Sequence, residues 1–206
     1  MKRVSLPDEV TRTRLVAVIR GFGTDRCVDI AAATRDAGIS VAEVTMDSPD
    51  ASSTISVLAS AGYSVGAGTV MSVSEAQRAV DAGAAFLVAP HTDEGVVRWA
   101  VENRHPIVPG AYTPTEVVAA WNLGVSAVKL YPASVGGPSL VTSIAAVLGR
   151  VPLMVTGGID GSNVESFLSA GAAVAGVGGW LVGPANLDTV RDRAARLVEA
   201  VGRANV

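Results

Sequence analysis

The sequence predicts an α/β chain folded as a (β/α)8 (TIM) barrel, one domain over residues 1–206, and three observations carry that expectation. The first is a recurring punctuation: "DAGIS", "SAGYS", "DAGAA", "NLGVS" and "SAGAA" place glycines at Gly38, Gly62, Gly83, Gly124 and Gly171. Each suits the left-handed residue that ends a helix. The second is that an apolar or small-residue run without helical periodicity follows each glycine: "VAEVTM", "SVGAGTV", "AFLVAP", "AVKLYPA" and "VAGVGG". The third is spacing. Successive glycine gaps are 24, 21, 41 and 47 residues, so the last two are about twice the first two.

The doubled gaps place two further units. "HPIVPG" follows Asn103-Arg104, and "VPLMVTGGI" follows Leu148 to Arg150; with "RLVAVIR" at the start, the strands number eight. Helix starts are expected just after strands, at Ser48-Pro49, Ser72-x-x-Glu75, Thr113-Pro114-x-Glu116 and Ser162-x-x-Glu165. Strands apolar on both faces and alternating with helices imply a parallel sheet covered by helices. An open doubly wound sheet is the alternative topology.

Composition narrows the function. The chain is 49% hydrophobic but only 4% aromatic, so Val, Ala, Leu and Ile must build the core. A formal charge of −3 without basic runs argues against nucleic acid or anionic membrane as partner. No apolar run approaches the roughly 18 residues that suggest a membrane span. "MKRVSLPDEV" is polar and acidic, unlike a signal peptide. The single cysteine, Cys27, fits a reducing compartment and helix packing, so a cytoplasmic protein is expected. The two histidines make no metal-ligand set: His105 opens a strand at the end away from the expected site, and His91 lacks partners. No metal or other cofactor is expected. Asp47, Asp50 and Asp93 sit in loops or first turns, where carboxylates cap helices.

In a barrel, function belongs at the carboxyl ends of the strands. Those ends are polar or glycine-rich: Arg20, Glu43, Thr45, Gly66 to Thr69, Pro90, Pro109-Gly110, Lys129 to Pro132, Thr156 to Gly158, and Gly178-Gly179. Only three apolar runs carry a charge, at Arg20, Glu43 and Lys129. Period-two alternation groups Val41, Glu43 and Thr45 on one face, and Ala127, Lys129 and Tyr131 on another. The intervening residues suit packing under helices, so Glu43 and Lys129 are expected to meet in the barrel mouth. A structural ion pair is the alternative, but desolvation leaves such a pair little net stability. The chain has only two lysines, Lys2 and Lys129, among its 16 basic residues. Choosing lysine where arginine pairs better suggests a neutral amine nucleophile able to form a Schiff base with a carbonyl. Arg20 offers a planar fork for a substrate carboxylate, or else a surface salt bridge. "TGGI" and "GVGGW" close the last two strands, where glycine backbone N–H groups can receive a phosphate or merely form turns.

Together these residues resemble the 2-keto-3-deoxy-6-phosphogluconate aldolase family, which includes 4-hydroxy-2-oxoglutarate aldolases. The stretches that carry the resemblance are "AVIRG", "VAEVTMDSP", "GAGTV", "VAPHTDE", "VPGAYTPTE", "AVKLYPA", "VTGGI" and "GVGGWLV". They occur in family order across nearly the whole chain. The resemblance implies a metal-independent, homotrimeric class I aldolase acting on a keto-deoxy sugar acid and pyruvate. It implies Lys129 as the Schiff-base lysine and Glu43 as the general acid/base. Arg20 would hold the pyruvyl carboxylate, with Thr69, Pro90, Tyr131 and Thr156 lining that pocket, while Gly157, Gly158, Gly178 and Gly179 would receive the phosphate. Two departures stand out. Many members read "EVTLRT" after the glutamate, where this chain has "EVTMDS" with Asp47; members lacking that arginine often carry one at the position of Arg20. The last glycine pair often ends in serine, where this chain has Gly179, which weakens the inference of a phosphorylated substrate. "DSP" at Asp47 to Pro49 is similar to the "NSP" of phosphogalactonate aldolases, which leaves sugar stereochemistry open. Two other functions stay open: a phosphate-binding isomerase or decarboxylase that uses Lys129 only electrostatically, and a non-catalytic sugar-acid-binding barrel.

Overall fold

A computed structural model describes residues 3–204, so Lys2 lies outside the described residues. A first helix α1 (Asp8–Thr13) precedes β1 (Leu15–Ile19), and strands and helices then alternate. They are α2 (Thr24–Asp36), β2 (Val41–Thr45), α3 (Ala51–Ser60), β3 (Ser64–Gly68), α4 (Val73–Asp81), β4 (Phe86–Val88), α5 (Glu94–Glu102) and β5 (Ile107–Val108). There follow β6 (Gly110–Ala111), α6 (Pro114–Asn122), β7 (Val128–Leu130), α7 (Ala133–Leu148), β8 (Leu153–Thr156), α8 (Val164–Ser169), β9 (Val174–Val177), α9 (Gly179–Val182) and α10 (Leu187–Ala204).

All strand pairs are parallel, in the order β5-β4-β3-β2-β1-β9-β8-β7-β6. The two edges, β5 and β6, are one stretch of chain interrupted at Pro109. Proline has no N–H to give a ladder, but its carbonyl accepts from the Lys129 amide at 2.8 Å, and Ile107 O accepts from the Ser126 amide at 3.1 Å. One expected strand thus serves both edges and closes the sheet into a barrel; the open doubly wound alternative is excluded.

Alternation sorts the side chains into two layers. Val16, Val41, Phe86, Val108, Ala127 and Met154 form an inner cluster, with Val10 of α1 packed into it. Ala42, Val44, Val128 and Leu130 belong instead to the layer between strands and helices. Gly66 makes space inside, since a Cβ there would lie 2.3 Å from the Phe86 ring. Burying such a ring contributes about 1.5–3 kcal/mol, which outweighs the entropy cost of one strand glycine, about 0.5–1 kcal/mol.

The punctuating glycines all take positive φ: Gly38 103°, Gly62 78°, Gly83 97°, Gly124 96° and Gly171 111°. The two units without that signal end differently. Arg104 adopts the left-handed conformation itself (φ 59°), and Gly149 stays right-handed (φ −57°). Capping holds at Ser72, whose hydroxyl accepts from Glu75 N at 3.2 Å, and at Thr113, where the reciprocal box with Glu116 is complete. It fails at two expected places. Ser48 spends its hydroxyl on Gly21 and Thr45, so α3 begins after Asp50 with no side-chain cap. Ser162 donates to Asp160, and α8 begins after Asn163. Of the three loop aspartates only Asp93 caps a helix, accepting from Val96 N at 2.8 Å. Cys27 is fully buried in α2, and burial pushes its thiol up to about 11. His105 stacks on Trp99 with ring centroids 5.8 Å apart, as a structural residue would.

Candidate active site

The carboxyl ends of β1, β2, β7, β8 and β9 surround a cavity of about 470 Å³. Lys129 and Glu43 reach it from strands on opposite sides of the barrel, as the alternation predicts. Both are nearly sealed, at 7% and 1% exposure. Each strand supplies what its long side chain needs. A Cβ on Gly68 of β3 would lie 2.0 Å from Glu43 Oε1, so the carboxylate occupies room that only glycine leaves. Lys129 Nζ sits 5.0 Å from the centroid of the Tyr131 ring, which gives the amine an aromatic neighbour at the mouth.

Burial decides the electrostatics. It pushes the Glu43 carboxyl up, against the opposing pull of Lys129 and, less, of Arg20. It pushes the Lys129 amine down, against Glu43, with Arg20 adding to the downward shift. No hydrogen bond joins the two groups among the described residues, and Glu43 Oε2 and Thr156 Oγ1 are buried without any partner. Buried polar atoms left unpaired cost about 1–3 kcal/mol each. A site that holds two of them beside a desolvated amine is arranged for a polar ligand rather than for its own stability.

Arg20 lines the same cavity, with its guanidinium bonded outward: Nη1 donates to Asp47 Oδ2 at 2.7 Å and Nη2 to Thr69 Oγ1 at 2.6 Å. Thr69 thus reaches the site through Arg20. Pro90 does not line the cavity; its carbonyl packs where a Cβ of Gly110 would come within 2.1 Å. Tyr131, Thr156, Gly157, Gly158, Gly178 and Gly179 all line it. Gly157 (φ 88°) and Gly158 (φ 75°) need glycine for their conformation. Gly179 does not: it has no positive φ, and a Cβ there would meet nothing within 4 Å.

Trp180 and Asp160 also line the cavity, and sequence reasoning missed both. Trp180 follows the second glycine pair directly, and its ring lies 2.9 Å from where a Cβ of Gly161 would stand. "GVGGW" carried that signal, but an aromatic after glycines reads equally as packing. Asp160 accepts from the amide and hydroxyl of Ser162. Among the described residues no group of three His, Cys, Asp or Glu side chains is disposed to hold a metal ion. Among the described residues no helix is long and apolar enough to cross a membrane.

A closed parallel barrel with a desolvated lysine and a buried carboxylate at its carboxyl mouth defines a class of enzymes that act on carbonyl compounds. Comparison with known proteins makes the class specific. The family profile of KDPG and KHG aldolases matches residues 6–196. The chain is 34% identical over 199 residues to a probable 2-dehydro-3-deoxy-6-phosphogalactonate aldolase of Rhizobium meliloti, covering 94% of this chain and 93% of that one. A solved structure described as native KDPGal superposes with a TM-score of 0.88 at 29% identity, covering 93% of this chain and 95% of that one. The KDPG aldolase of Legionella pneumophila, captured with pyruvate as a covalent carbinolamine, superposes with a TM-score of 0.81 at 25% identity, covering 95% and 96%. The chain belongs to the KDPG and KHG aldolase family and is a lyase of that family.

Proposed function

We propose that this aldolase reversibly cleaves 2-keto-3-deoxy-6-phosphogluconate to pyruvate and D-glyceraldehyde 3-phosphate, with Lys129 as nucleophile and Glu43 as proton shuttle. The observation that carries the reading is the desolvated amine of Lys129 sharing one cavity with the buried carboxyl of Glu43, whose Oε2 has no hydrogen-bond partner among the described residues. Neutral Lys129 attacks the C2 ketone, and Glu43, directly or through water, gives a proton to the carbinolamine hydroxyl, which leaves as water and yields a cationic imine. Glu43, directly or through water, takes the C4 hydroxyl proton. The C3–C4 bond then breaks, its electron pair passes into the imine to form an enamine, and the aldehyde departs. Protonation at C3 and hydrolysis release pyruvate and restore the amine. Arg20 holds the carboxylate, Tyr131 and Thr156 line the pyruvyl pocket, and backbone N–H groups at Gly157, Gly158, Gly178 and Gly179 receive the phosphate. Thr69 supports that pocket through Arg20, and Pro90 borders it from outside the cavity wall.

A second substrate, the phosphogalactonate isomer, is favoured by the Rhizobium meliloti relative and by "DSP" at Asp47 to Pro49. In this reading residues 1–206 form one catalytic domain of a cytoplasmic homotrimer, which sedimentation would measure. Borohydride with pyruvate is expected to leave a stable adduct on Lys129, detected by peptide mass spectrometry. No adduct, with Lys129→Ala still active, would eliminate the Schiff-base role. Comparing kcat/KM for the two 6-phosphates, their unphosphorylated forms and 4-hydroxy-2-oxoglutarate ranks the substrates.

A further inference from the structure

Asp47 and Ser48 are consecutive residues just past β2, yet neither serves the helix that follows. Both reach back to the stretch after β1. Asp47 Oδ2 accepts from Arg20 Nη1 at 2.7 Å, and Ser48 Oγ accepts from the Gly21 amide at 2.8 Å. The Ser48 hydroxyl is itself 2.9 Å from that of Thr45, which is fully buried on β2. One dipeptide therefore grips both the side chain of Arg20 and the backbone beside it. On the other flank Thr69 offers Oγ1 to Arg20 Nη2 at 2.6 Å, from a backbone at φ 54°. A β-branched residue in the left-handed region is a strained conformation, and strain of this kind concentrates at functional sites.

Stability does not account for the Asp47–Arg20 pair. The two side chains are 47% and 56% exposed, and pairs that exposed to water contribute little. Orientation does account for it. Arg20 is long and sits at the open rim; unrestrained, its guanidinium would sample many rotamers and lose entropy on meeting a carboxylate. With one terminal nitrogen held by Asp47 and the other by Thr69, the planar group is fixed before substrate arrives. Each terminal nitrogen keeps a second N–H to donate.

We infer that Asp47 is a positioning residue for substrate binding: it presets the Arg20 guanidinium, within a bracket completed by Ser48 and Thr69, to receive the carboxylate of the pyruvyl half. This rests on the reading that Arg20 holds that carboxylate. The expected signature is a change in KM without a change in kcat, because the bracket acts on binding and touches neither Lys129 nor Glu43.

The test compares Asp47→Asn, Asp47→Glu and, as a neighbouring control, Asp50→Asn in the full chain, by steady-state cleavage and by pyruvate half-saturation of borohydride trapping. For Asp47→Asn, KM and the pyruvate half-saturation are expected to rise about two- to fivefold, the fold-change an exposed ion pair supports, with kcat within about twofold. Asp47→Glu should restore part of the loss, and Asp50→Asn should match the parent; unchanged thermal midpoints exclude misfolding. Unchanged or lower KM in Asp47→Asn, or a fall in kcat instead, overturns the inference. Arg20→Met separates this from failure of the underlying reading. If the parent forms its Lys129 adduct but Arg20→Met leaves pyruvate half-saturation unchanged, Arg20 is not the carboxylate group and the inference falls with it. If the parent forms no adduct, the proposed reaction falls first.

Discussion

At the residue scale, Lys129 and Glu43 place two ionisable groups where water cannot solvate them, and no hydrogen bond between them compensates. The signs of their shifts oppose. Glu43 binds its proton more tightly folded than unfolded, so stability falls as pH climbs from the ordinary carboxylate range through its raised value. Lys129 binds its proton less tightly folded, so stability rises with pH from its lowered value to the ordinary lysine range, and its penalty is greatest below that window. A Lys129→Met, Glu43→Gln double variant should therefore be inactive, unfold with a free energy equal to or about 1–4 kcal/mol above the parent, and lose both slopes in urea titrations run between the ordinary carboxylate and ordinary lysine ranges. Activity should respond to the same displacement. Attack needs the free amine, so the rate of pyruvate trapping should begin to rise with pH below the ordinary lysine range. An onset only near that range would mean that the amine is not desolvated in solution. Lys129 was legible in the sequence because charge is rare in an apolar run and lysine is rare in this chain. Asp47 was legible as a departure, but its attachment to Arg20 was not, since 27 residues separate them along the chain.

At the element scale, the strand glycines serve the site as much as the fold. Gly68→Ala would drive a methyl group into the place of the Glu43 carboxylate, so kcat should fall at least about tenfold, as a displaced general base predicts, with KM less affected in steady-state cleavage. The cap of α6 acts on stability alone. Thr113→Ala removes the acceptor for Glu116 N, and urea unfolding should show a loss of about 1 kcal/mol with kcat unchanged. Helix ends marked by glycine were readable because a left-handed residue without Cβ is a local requirement. Arg104 and Gly149 lack that signal, since Arg104 is left-handed with a side chain and Gly149 is right-handed without one, and the doubled spacing alone placed those two units. Ser48 and Ser162 misled for a different reason. A serine before a helix has several competing acceptors and donors, and the neighbouring loop decides which one it takes.

At the scale of the whole molecule, closure of the sheet brings the ends of β2 and β7 across one cavity, so ligand binding and folding are coupled. Pyruvate that binds only the folded state should raise unfolding free energy by about 2.7 kcal/mol at a hundredfold excess over its Kd. A thermal scan with and without pyruvate would measure it, and Lys129→Met should abolish the part that depends on imine formation. Closure itself turns on Pro109. The count of eight strands foresaw a ring, but not that one strand would break in two and pair with both edges.

The sequence alone determined the repeating strand–helix unit, the inward faces of β2 and β7, and the two ionisable groups those faces carry. Those properties are local: glycine punctuation, period-two alternation and composition act over a few residues. The tertiary structure decided what depends on bringing distant segments together. It left Glu43 Oε2 and Thr156 Oγ1 without partners, seated the Glu43 carboxylate over Gly68, added Trp180 and Asp160 to the cavity, and set Arg20 between Asp47 and Thr69. Desolvation and hydrogen-bond partners belong to the surroundings of a residue, and only the closed barrel supplies those surroundings.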